Sequence, residues 1–419
     1  MKVLVVGSGG REHALCAALA RGGAEVVAAP GNPGCASVAR CEPVAAGDLA
    51  GLVALATRES VDLVVVGPEA PLVAGLVDRL RAAGVLAFGP TAEAARLEGS
   101  KSFVKAICEE RAIPTAASRS FSSLAPALSY LREAGAPLVV KVDGLAAGKG
   151  VTVAASVAEA EAAVCAALAD GRFGDAGRTV LLEERLTGPE LSFFALCDGS
   201  RALPFMTAMD HKRLGDGDVG PNTGGMGAVC PHPLTSAALE AELLERFVTP
   251  TLDAMRARGA PFTGVLYAGV MLTPEGPKLL EYNVRFGDPE CQAVLARFDG
   301  DLAAALHAAA RGALDEVELS WAAKASVSVV MAAPGYPDAP RVGDAIDLSA
   351  VDPPEGAALL HAGTRVGDGG ALLSAGGRVL NAVATGETVA EAAARAYAVV
   401  DQVRWPGASV RRDIGAPRW

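Results

Sequence analysis

The sequence predicts a multidomain protein of mixed α/β and α+β class, with a doubly wound parallel-sheet domain first and a small β-rich domain last. The chain has 419 residues, which is too long for a single hydrophobic core. Over the first hundred residues, short apolar runs alternate with helical patterns, as in a parallel βαβ sheet. From about residue 325 the pattern changes to short strands separated by glycine turns, which indicates a separate terminal domain.

In the N-terminal domain, predicted at residues 1–103, each candidate strand is followed closely by glycine or proline. Strands are expected at 3–6, 25–29, 62–66 and 86–88, and the helices between them include 12–21 and 72–83. The first strand runs into a Gly-Ser-Gly-Gly-Arg-Glu-His turn at 7–13. Glycines in such a turn let backbone N–H groups at the start of a helix approach a phosphate.

This turn differs from the dinucleotide-binding fingerprint at two points. The fingerprint has a glycine where this chain has Glu12, and an acidic residue where the second strand ends in Pro30, Gly31 and Asn32. A phosphate-bearing small molecule is therefore favoured over NAD. A dinucleotide-dependent oxidoreductase and a tight turn without a ligand stay open as alternatives.

The middle of the chain, predicted as a domain at 104–324, begins with a compact α+β unit. Its expected elements are helices at 100–111, 124–133 and 157–169 and strands at 137–142, 151–154 and 179–183. A long glycine- and proline-rich stretch at 210–233, a helix at 239–258 and a hairpin at 264–283 follow.

A glycine-rich loop at 143–150 lies between two of these strands. It is not a P-loop, because Gly144 and Gly148 are only three residues apart, Gly150 replaces the Ser or Thr, and a strand follows. We interpret it as a flap over nucleotide phosphates, to which Lys141 would add a positive charge. A solvated hairpin is the alternative.

The end of the 264–283 hairpin carries a candidate metal site. Side chains two apart on a strand share a face, so Glu281, Asn283 and Arg285 are expected to project together. A carboxylate and an amide oxygen are ligands suited to Mg²⁺, and Arg285 could stabilise a transferring phosphoryl group. A strand end with a surface ion pair is the alternative.

Two further polar stretches are candidates for ligand contacts. Residues 183–186, with Glu190 just beyond, leave a strand and could present backbone groups to adenine and a carboxylate to ribose, although an exposed acidic turn is the alternative. The loop at 210–227 is dense in charge and glycine, and loops of this length inside a domain are usually functional or disordered.

Bulk properties limit the class of partner. A net charge of −11 disfavours a general nucleic-acid-binding surface. No apolar run reaches the ~18 residues that a membrane span needs, and the first strand begins at the amino terminus, where a signal peptide would lie. The eight cysteines contain no Cys-x-x-Cys pair, which is typical of reduced thiols. We therefore expect a cytoplasmic protein without nucleic-acid or membrane partners.

Eight stretches, in this order, carry a family resemblance: 6–15, 29–32, 66–72, 99–101, 143–150, 210–227, 285–290 and 412–415. Together they resemble the phosphoribosylamine–glycine ligase (glycinamide ribonucleotide synthetase) family of the ATP-grasp superfamily, over nearly the whole chain. One departure is Tyr282, where the family often has Phe; it faces away from Glu281.

The resemblance implies a central ATP-grasp domain with a mobile lid at about 119–187. It also implies an ATP-dependent carbon–nitrogen ligase of de novo purine biosynthesis. This enzyme would join glycine to 5-phosphoribosylamine through glycyl phosphate, require Mg²⁺ or Mn²⁺, and be a monomer or weak homodimer. Another ATP-grasp carboxylate–amine ligase, or a non-enzymatic binding protein, is the competing interpretation.

The resemblance also implies roles for individual residues. ATP would be bound by Lys101, Lys141, Gly148, Lys149, Glu183, Glu184, Leu186 and Glu190. The metal would be held by Glu281 and Asn283. The two other substrates would face Gly9, Gly10, Glu12, Asn32, Glu69, Asp210, Gly225 and Arg285, and Arg285 and Lys141 would act in catalysis.

Overall fold

The first hundred residues form a five-stranded parallel sheet in a computed structural model, which describes residues 1–135, 138–146 and 149–417. The strand order is β3-β2-β1-β4-β5. The strands are β1 (Lys2–Gly7), β2 (Glu25–Pro30), β3 (Arg40–Cys41), β4 (Leu63–Val66) and β5 (Ala87–Phe88). The helices are α1 (Gly10–Arg21), α2 (Leu49–Arg58), α3 (Glu69–Val73), α4 (Leu76–Ala82) and α5 (Arg96–Gly99).

The order of this sheet reverses at β1, which pairs with both β2 and β4. Ligands of doubly wound sheets bind at such a switch point, outside the carboxyl ends of the strands. The glycine turn after β1 and Glu69 after β4 therefore lie at the expected place. The predicted helix at 72–83 is wrong as one element: it is split at Gly75, whose φ of +84° cannot continue a helix.

A four-stranded antiparallel sheet with two helices on one face forms the next unit. Its order is β6-β9-β7-β8, and α7 and α8 pack on it through a small separate core. The elements are α6 (Lys101–Arg111), β6 (Ser118–Phe121), α7 (Leu124–Ala134), β7 (Leu138–Val142), β8 (Val151–Ala154), α8 (Val157–Leu168) and β9 (Val180–Glu184).

The central sheet is the largest one in the described part of the chain, with nine strands. Its core order is β16-β15-β10-β11-β14-β17-β21-β18. Its strands up to residue 283 are β10 (Glu190–Asp198), β11 (Ala202–Asp210), β14 (Gly227–Cys230), β15 (Thr263–Thr273) and β16 (Gly276–Asn283). Strands β12 (Arg213–Gly215) and β13 (Val219–Asn222) form a separate two-stranded sheet. The helices are α9 (Ala237–Leu243), α10 (Thr249–Ala257), α11 (Glu290–Arg297) and α12 (Leu302–Arg311), and a π-helical turn (Leu244–Val248) joins α9 to α10.

The stretch at 210–233 is not the single loop that its composition suggested. It contains the two-stranded hairpin β12–β13 and strand β14, which pairs with β11 on one side. The composition hid these elements because glycine and proline disfavour strands on average, whereas tertiary pairing here overrides that preference.

The C-terminal strands extend the central sheet. Strand β17 pairs antiparallel with β14, with Gly227 opposite Val329. The elements are β17 (Ala325–Ala332), β18 (Ala357–His361), β19 (Thr364–Val366), β20 (Leu372–Ser374), β21 (Arg378–Gly386), α13 (Val389–Val400) and β22 (Ser409–Val410). The β-rich terminal part is thus present, but its main strands share a sheet with the middle of the chain.

Histidines join the N-terminal and C-terminal parts. His13 Nδ1 accepts a hydrogen bond from the backbone N–H of His361 at 2.8 Å, and the two rings lie 5.9 Å apart. Burial, together with the neighbouring His361, lowers the pKa of His13 to about 4 from its usual 6.5. This contact therefore favours a neutral His13.

We expect this junction to make the protein sensitive to acid. Between pH 6.5 and 4 the unfolded chain binds a proton at His13 that the folded chain does not. The free energy of unfolding should fall by up to about 1.4 kcal/mol per pH unit from this group. His13→Asn, whose amide oxygen can accept the same bond, should flatten the fall of the melting temperature over this range. Equal pH slopes for variant and wild type would contradict the assignment.

Candidate active site

Two adjoining cavities lie between the N-terminal sheet, the antiparallel unit and the central sheet. Their volumes are about 470 Å³ and 530 Å³, within the range of small-molecule sites. The first, here called the junction cavity, is also lined by C-terminal residues Tyr336 and Arg378. The second lies beside the segment after β9. It is here called the nucleotide cavity, after the expectation that this segment contacts adenine. Shared lining residues make the two a continuous cleft, namely Lys141, Val151, Glu183, Asp210, Lys212, Thr223, Leu280 and Glu281.

Strand β16 presents the candidate metal ligands to this cleft. Glu281 lies opposite Gly269 and Asn283 opposite Tyr267 on β15, and both line the junction cavity. Tyr282 points to the other side, where its hydroxyl donates to the carbonyl of Phe247 at 2.8 Å. The expected alternation holds from Glu281 to Asn283, where the buried Tyr282 anchors the strand. A bulge just before Glu281 interrupts it, so that Leu280 also lines the cleft.

Glu281 is an ionised carboxylate in a ring of cations. Burial raises its pKa, but Lys212, Lys141 and Lys101 outweigh that effect, so the pKa lies below its usual value. In the described part of the chain, no group of three or more His, Cys, Asp or Glu side chains could hold a metal ion. Glu281 and Asn283 fit a Mg²⁺ site of the kind that takes its remaining oxygens from phosphates and water.

Lysines surround the same point. Lys141 Nζ lies 2.8 Å from Glu183 and donates to the carbonyl of Leu280 at 3.0 Å. Lys105, which the sequence analysis did not single out, lies 3.2 Å from Glu183. Burial lowers the pKa of both Lys101 and Lys105. These lysines give the cleft a buried, positively charged surface, which is suited to a polyanion.

Glu183 is placed differently from the prediction. It was expected with the adenine-binding segment, yet its carboxylate is 2% exposed and joins Lys141 and Lys105. Glu184 is exposed, accepts from the backbone N–H of Ala117 at 3.1 Å and, like Glu183, lines the nucleotide cavity. Glu183 thus holds lysines in place, which a strand pattern alone could not reveal.

Two of the remaining predicted ATP contacts lie at the nucleotide cavity. Leu186 and Glu190 line it, and Glu190 lies 2.8 Å from Lys212 Nζ. Burial lowers the pKa of Lys212, but Glu190 and Glu281 outweigh it and raise that pKa well above its usual value. Lys149, which belongs to the flap, is exposed, and Gly148 lies outside the described residues.

Arg285 is the centre of a charge network. Its guanidinium lies 2.9 Å from Glu98, 3.3 Å from Glu69 and 3.3 Å from the amide oxygen of Asn283. Burial lowers the pKa of Arg285, but Glu98 and Glu69 outweigh it and the net pKa is raised. Arg285 therefore stays charged beside the candidate metal ligands Glu281 and Asn283.

Glu98 was missed by sequence reasoning. One carboxylate oxygen bonds Arg285, and the other accepts the backbone N–H of Val284 at 2.8 Å. Burial raises the pKa of Glu98. The only available signal was an acidic residue just before the Gly-Ser-Lys at 99–101, at the junction of two predicted domains.

An acidic recess lies beside Arg285. Burial and the nearby Glu290 raise the pKa of Asp210 well above its usual value. Among the described atoms, Asp210 Oδ1 is buried without a hydrogen-bond partner. Gly225, with φ +107°, packs so closely that a Cβ there would lie 2.6 Å from this oxygen. A side chain larger than that of glycine would therefore clash at position 225, while Asp210 itself lines both cavities.

The N-terminal glycine turn is braced by its own polar residues. Glu12 accepts from the backbone N–H of Gly9 and from Arg11 Nε, both at 2.6 Å. Its side chain fills the space beside Gly7 and Gly67, the position that a third fingerprint glycine would leave empty. Of this turn, the cleft is lined by Arg11.

Asn32 also has a bracing position. Its amide donates to the carbonyls of Ser8 at 2.8 Å and His361 at 3.0 Å, and its oxygen accepts from the N–H of Cys35 at 2.9 Å. Gly10 is packed against Gln292, 2.6 Å from where its Cβ would lie. The structure therefore brings Glu69, Asp210 and Arg285 to the cleft lining, but not Gly9, Gly10, Glu12, Asn32 or Gly225.

Comparison with known proteins agrees with this arrangement. Sequence models of three domains match the chain: the phosphoribosylglycinamide synthetase N domain at 1–98, the ATP-grasp (A) domain at 99–291 and the C domain at 326–417. A phosphoribosylamine–glycine ligase of Mesorhizobium japonicum is 51% identical, covering 99% of this chain and 98% of its own. The corresponding ligase of Salmonella typhimurium is 49% identical over 99% and 98%.

Solved structures show the same fold. The phosphoribosylamine–glycine ligase of Thermotoga maritima superposes with a TM-score of 0.86 at 34% identity, covering 99% of this chain and 100% of its own. The biotin carboxylase domain of Hydrogenobacter thermophilus 2-oxoglutarate carboxylase shares the fold at a TM-score of 0.72 and 17% identity, over 98% and 91%. The predicted fold class and family resemblance are confirmed. The chain therefore belongs to the phosphoribosylglycinamide synthetase family and is an ATP-grasp ligase with that family's N, A and C domains in order.

Proposed function

We propose that this protein joins glycine to 5-phosphoribosylamine, with conversion of ATP to ADP and phosphate, through a glycyl phosphate intermediate in purine biosynthesis. The observation that carries the proposal is the ionised Glu281 beside Asn283, encircled by lysines and Arg285 where the two cavities meet. The proteins named as its relatives carry the same activity in their names.

In this proposal ATP occupies the nucleotide cavity. Its adenine would contact the backbone of residues 184–186, and its ribose would contact Glu190. Its phosphates would extend over Lys101 and Lys141 under the flap that contains Gly148 and Lys149. Glu183 would contribute indirectly, by fixing Lys141 and Lys105.

Glu281 and Asn283 would hold Mg²⁺ or Mn²⁺, which when bound supplies positive charge to the β- and γ-phosphates. The support is the lowered pKa of Glu281 and the pairing of a carboxylate with an amide oxygen at one strand end.

Glycine would lie between Arg285 and the acidic recess. Its carboxylate would accept a forked interaction from Arg285, and its ammonium group would meet Asp210 and Glu290. Phosphoribosylamine would enter from the N-terminal switch point, near Glu69 and the turn containing Gly9 and Gly10, with Glu12 and Asn32 bracing that turn.

These parts are sufficient for the chemistry. A glycine carboxylate oxygen, aligned by Arg285, attacks the γ-phosphorus and ADP leaves, which converts a poor electrophile into an acyl phosphate. The amino group of phosphoribosylamine then attacks the carbonyl carbon and phosphate leaves. Neither step requires a protein nucleophile, because positioning and charge neutralisation dominate phosphoryl transfer. A flap that excludes water would protect the intermediate.

A phosphate-release assay tests the proposal. Protein, ATP and Mg²⁺ are mixed with glycine, with freshly made 5-phosphoribosylamine, or with both. We expect sustained ADP and phosphate formation only with both, together with glycinamide ribonucleotide by mass spectrometry. Turnover with another carboxylate–amine pair, but not with this one, would contradict the substrate assignment.

Lys141→Ala should chiefly weaken the use of ATP. The substitution removes a buried positive charge from the surface that would contact the phosphates. It should raise the KM for ATP by about tenfold to a hundredfold, the scale of one or two charge-assisted hydrogen bonds. The exposed Lys324→Ala is the matched control and should leave KM unchanged. An unaltered ATP dependence of Lys141→Ala would count against the flap interpretation.

The proposal also covers the location, the oligomeric state and the domain boundaries of the protein. No helix in the described ranges is long and apolar enough for a bilayer crossing. The eight cysteines are free, which supports a reducing, cytoplasmic location. We propose a monomer or weak homodimer with domains at 1–103, 104–324 (lid about 119–187) and 325–419. Sedimentation analysis would test the oligomeric state, and limited proteolysis would test the domain boundaries.

A further inference from the structure

The penultimate stretch of the chain contains a buried arginine that the proposed chemistry does not use. Arg411 is 0% exposed, although it lies within nine residues of the last residue, Trp419. A buried guanidinium is costly unless all its donors are paired. Its partners therefore indicate what this stretch, here called the strap (residues 411–414), is for.

Arg411 connects the strap to the β12–β13 hairpin. Its Nε and Nη2 donate to the two carboxylate oxygens of Asp413 at 2.7 and 2.6 Å. Its Nη1 donates to the carbonyl of Arg213 at 3.0 Å and to Asp218 at 3.2 Å. The bonds from Nε and Nη2 thus stabilise the strap itself. The third nitrogen, Nη1, connects the strap to the first residue of β12 and to the residue just before β13.

Backbone groups complete the connection. The N–H of Gly217 donates to Asp413 at 2.9 Å, and the N–H of Arg412 donates to Asp216 at 2.7 Å. The hairpin has little apolar contact of its own at its tip, where Val219 is 60% exposed. Its orientation therefore depends on these polar bonds.

The strap is itself firmly held. Tyr397 on α13 donates its hydroxyl to the carbonyl of Arg411 and accepts the N–H of Ile414, both at 2.9 Å. Ile414 is buried in the C-terminal core. If the hairpin moved, the bonds between hairpin and strap would therefore break before the bonds that hold the strap to α13.

The hairpin forms one wall of the nucleotide cavity. Arg213, Asp218 and Asn222 line that cavity. At its base, the N–H and hydroxyl of Thr223 both donate to the carbonyl of Lys212, at 2.7 and 2.9 Å. The hairpin therefore also fixes the backbone of Lys212, whose side chain lies near Glu190 and Glu281.

A second C-terminal attachment holds the other end of the same loop. The hydroxyl of Tyr336 accepts the N–H of Gly224 at 2.9 Å, and Arg378 donates to the carbonyl of Gly224. The C-terminal part thus forms hydrogen bonds with both the beginning and the end of the 212–225 segment.

We infer that Arg411 is a positioning residue for the nucleotide site: through the β12–β13 hairpin it sets the cavity wall and the place of Lys212. The inference rests on the proposed function, in that it assigns this cavity to ATP. It gives the Arg-Arg-Asp-Ile-Gly ending of the chain a role in catalysis at a distance, in addition to its packing.

The test compares Arg411→Lys, which cannot make the fork, with Arg412→Ala. Arg412 is the neighbouring control, because its exposed side chain pairs with Asp401 and its backbone N–H remains available to Asp216. Should Arg411→Lys fail to fold, Asp216→Ala removes a hairpin–strap bond at an exposed position. Each is assayed for KM of ATP and kcat below its melting range.

For Arg411→Lys or Asp216→Ala we expect the KM for ATP to rise about tenfold, the scale of one lost charge-assisted hydrogen bond, with a smaller change in kcat. Arg412→Ala should match wild type. A purely structural role would lower the melting temperature and leave the KM for ATP unchanged, which would overturn the inference.

Limited trypsin digestion gives a readout that needs no catalysis. We expect faster cleavage after Lys212 and Arg213 in Arg411→Lys than in Arg412→Ala, and weaker protection by MgATP. Equal cleavage and protection would contradict the inference. If wild-type protein bound MgATP but formed no product from glycine and 5-phosphoribosylamine, the substrate assignment would fail while the cleavage comparison still decided the role of Arg411.

Discussion

Replacing Glu281 with alanine should abolish turnover while the fold persists. Glu281 is the only carboxylate that the proposal assigns to the metal, and charge neutralisation by the ion is worth several kcal/mol in phosphoryl transfer. We expect kcat to fall by at least on the order of 10³-fold in saturating Mg²⁺.

The fold should survive because other contacts anchor strand β16. Tyr282 is fixed from the opposite face by Phe247, and the neighbouring Lys141 keeps its partner Glu183. Circular dichroism and the melting temperature would check this. Glu275→Ala, in the exposed turn of the same hairpin, is the matched control and should keep full activity. Normal turnover of Glu281→Ala in saturating Mg²⁺ would overturn the metal assignment.

Arg285→Ala should have the next largest effect. The guanidinium would align the glycine carboxylate and stabilise charge on the transferring phosphoryl group, so both binding and the transition state lose a contact. We expect kcat/KM for glycine to fall by about 10²- to 10³-fold, the usual scale for removing a positioned electrostatic group. Arg285→Lys should recover little, because an ammonium group cannot replace the planar fork toward Glu98 and Glu69.

Stability against pH separates this effect from simple misfolding. The pKa of Glu98 is already raised by burial, and loss of Arg285 removes the charge that opposes that rise. The folded variant then holds a proton on Glu98 more tightly than the unfolded chain does. Protonated Glu98 therefore contributes to the free energy of unfolding at low pH, and this contribution is lost as the pH rises through the pKa of Glu98 in the folded state. The stability deficit of Arg285→Ala should therefore be smaller at pH 5 than at pH 8. The exposed Arg256→Ala should show neither effect.

Local patterns were sufficient to predict part of the site. The period of two along β16 placed Glu281, Asn283 and Arg285 on one face, and the glycine turn after β1 lies at the switch point where such sheets bind ligands. Both inferences depend only on neighbours in sequence. Segments of this kind can be interpreted from one chain because strand geometry fixes the result.

The rest of the site depends on tertiary packing. Glu98 pairs with Arg285, Lys105 pairs with Glu183 and Lys212 lies near Glu281, and no spacing in the sequence indicates that these residues meet. The same limit explains Glu12 and Asn32. The family resemblance implied ligand contacts for both residues, and in the structure their side chains bond to backbone groups of the turn.

The C-terminal strands show a similar limit at the level of the fold. Their short runs and glycine turns correctly indicated β structure, but nothing in the runs themselves specified that β17 would pair with β14. That pairing uses the edge of β14, a strand that lies within the 210–233 stretch. The C-terminal part also brings Arg378 and Tyr336 to the cleft and Arg411 to the β12–β13 hairpin.

The most direct test of the central claim follows oxygen atoms from glycine. Glycine labelled with ¹⁸O in its carboxylate is incubated with ATP, Mg²⁺, 5-phosphoribosylamine and the wild-type protein, and the released phosphate is analysed by mass spectrometry. If the carboxylate attacks the γ-phosphorus, one labelled oxygen passes to phosphate in each turnover. Product formation with unlabelled phosphate would show that no glycyl phosphate is made.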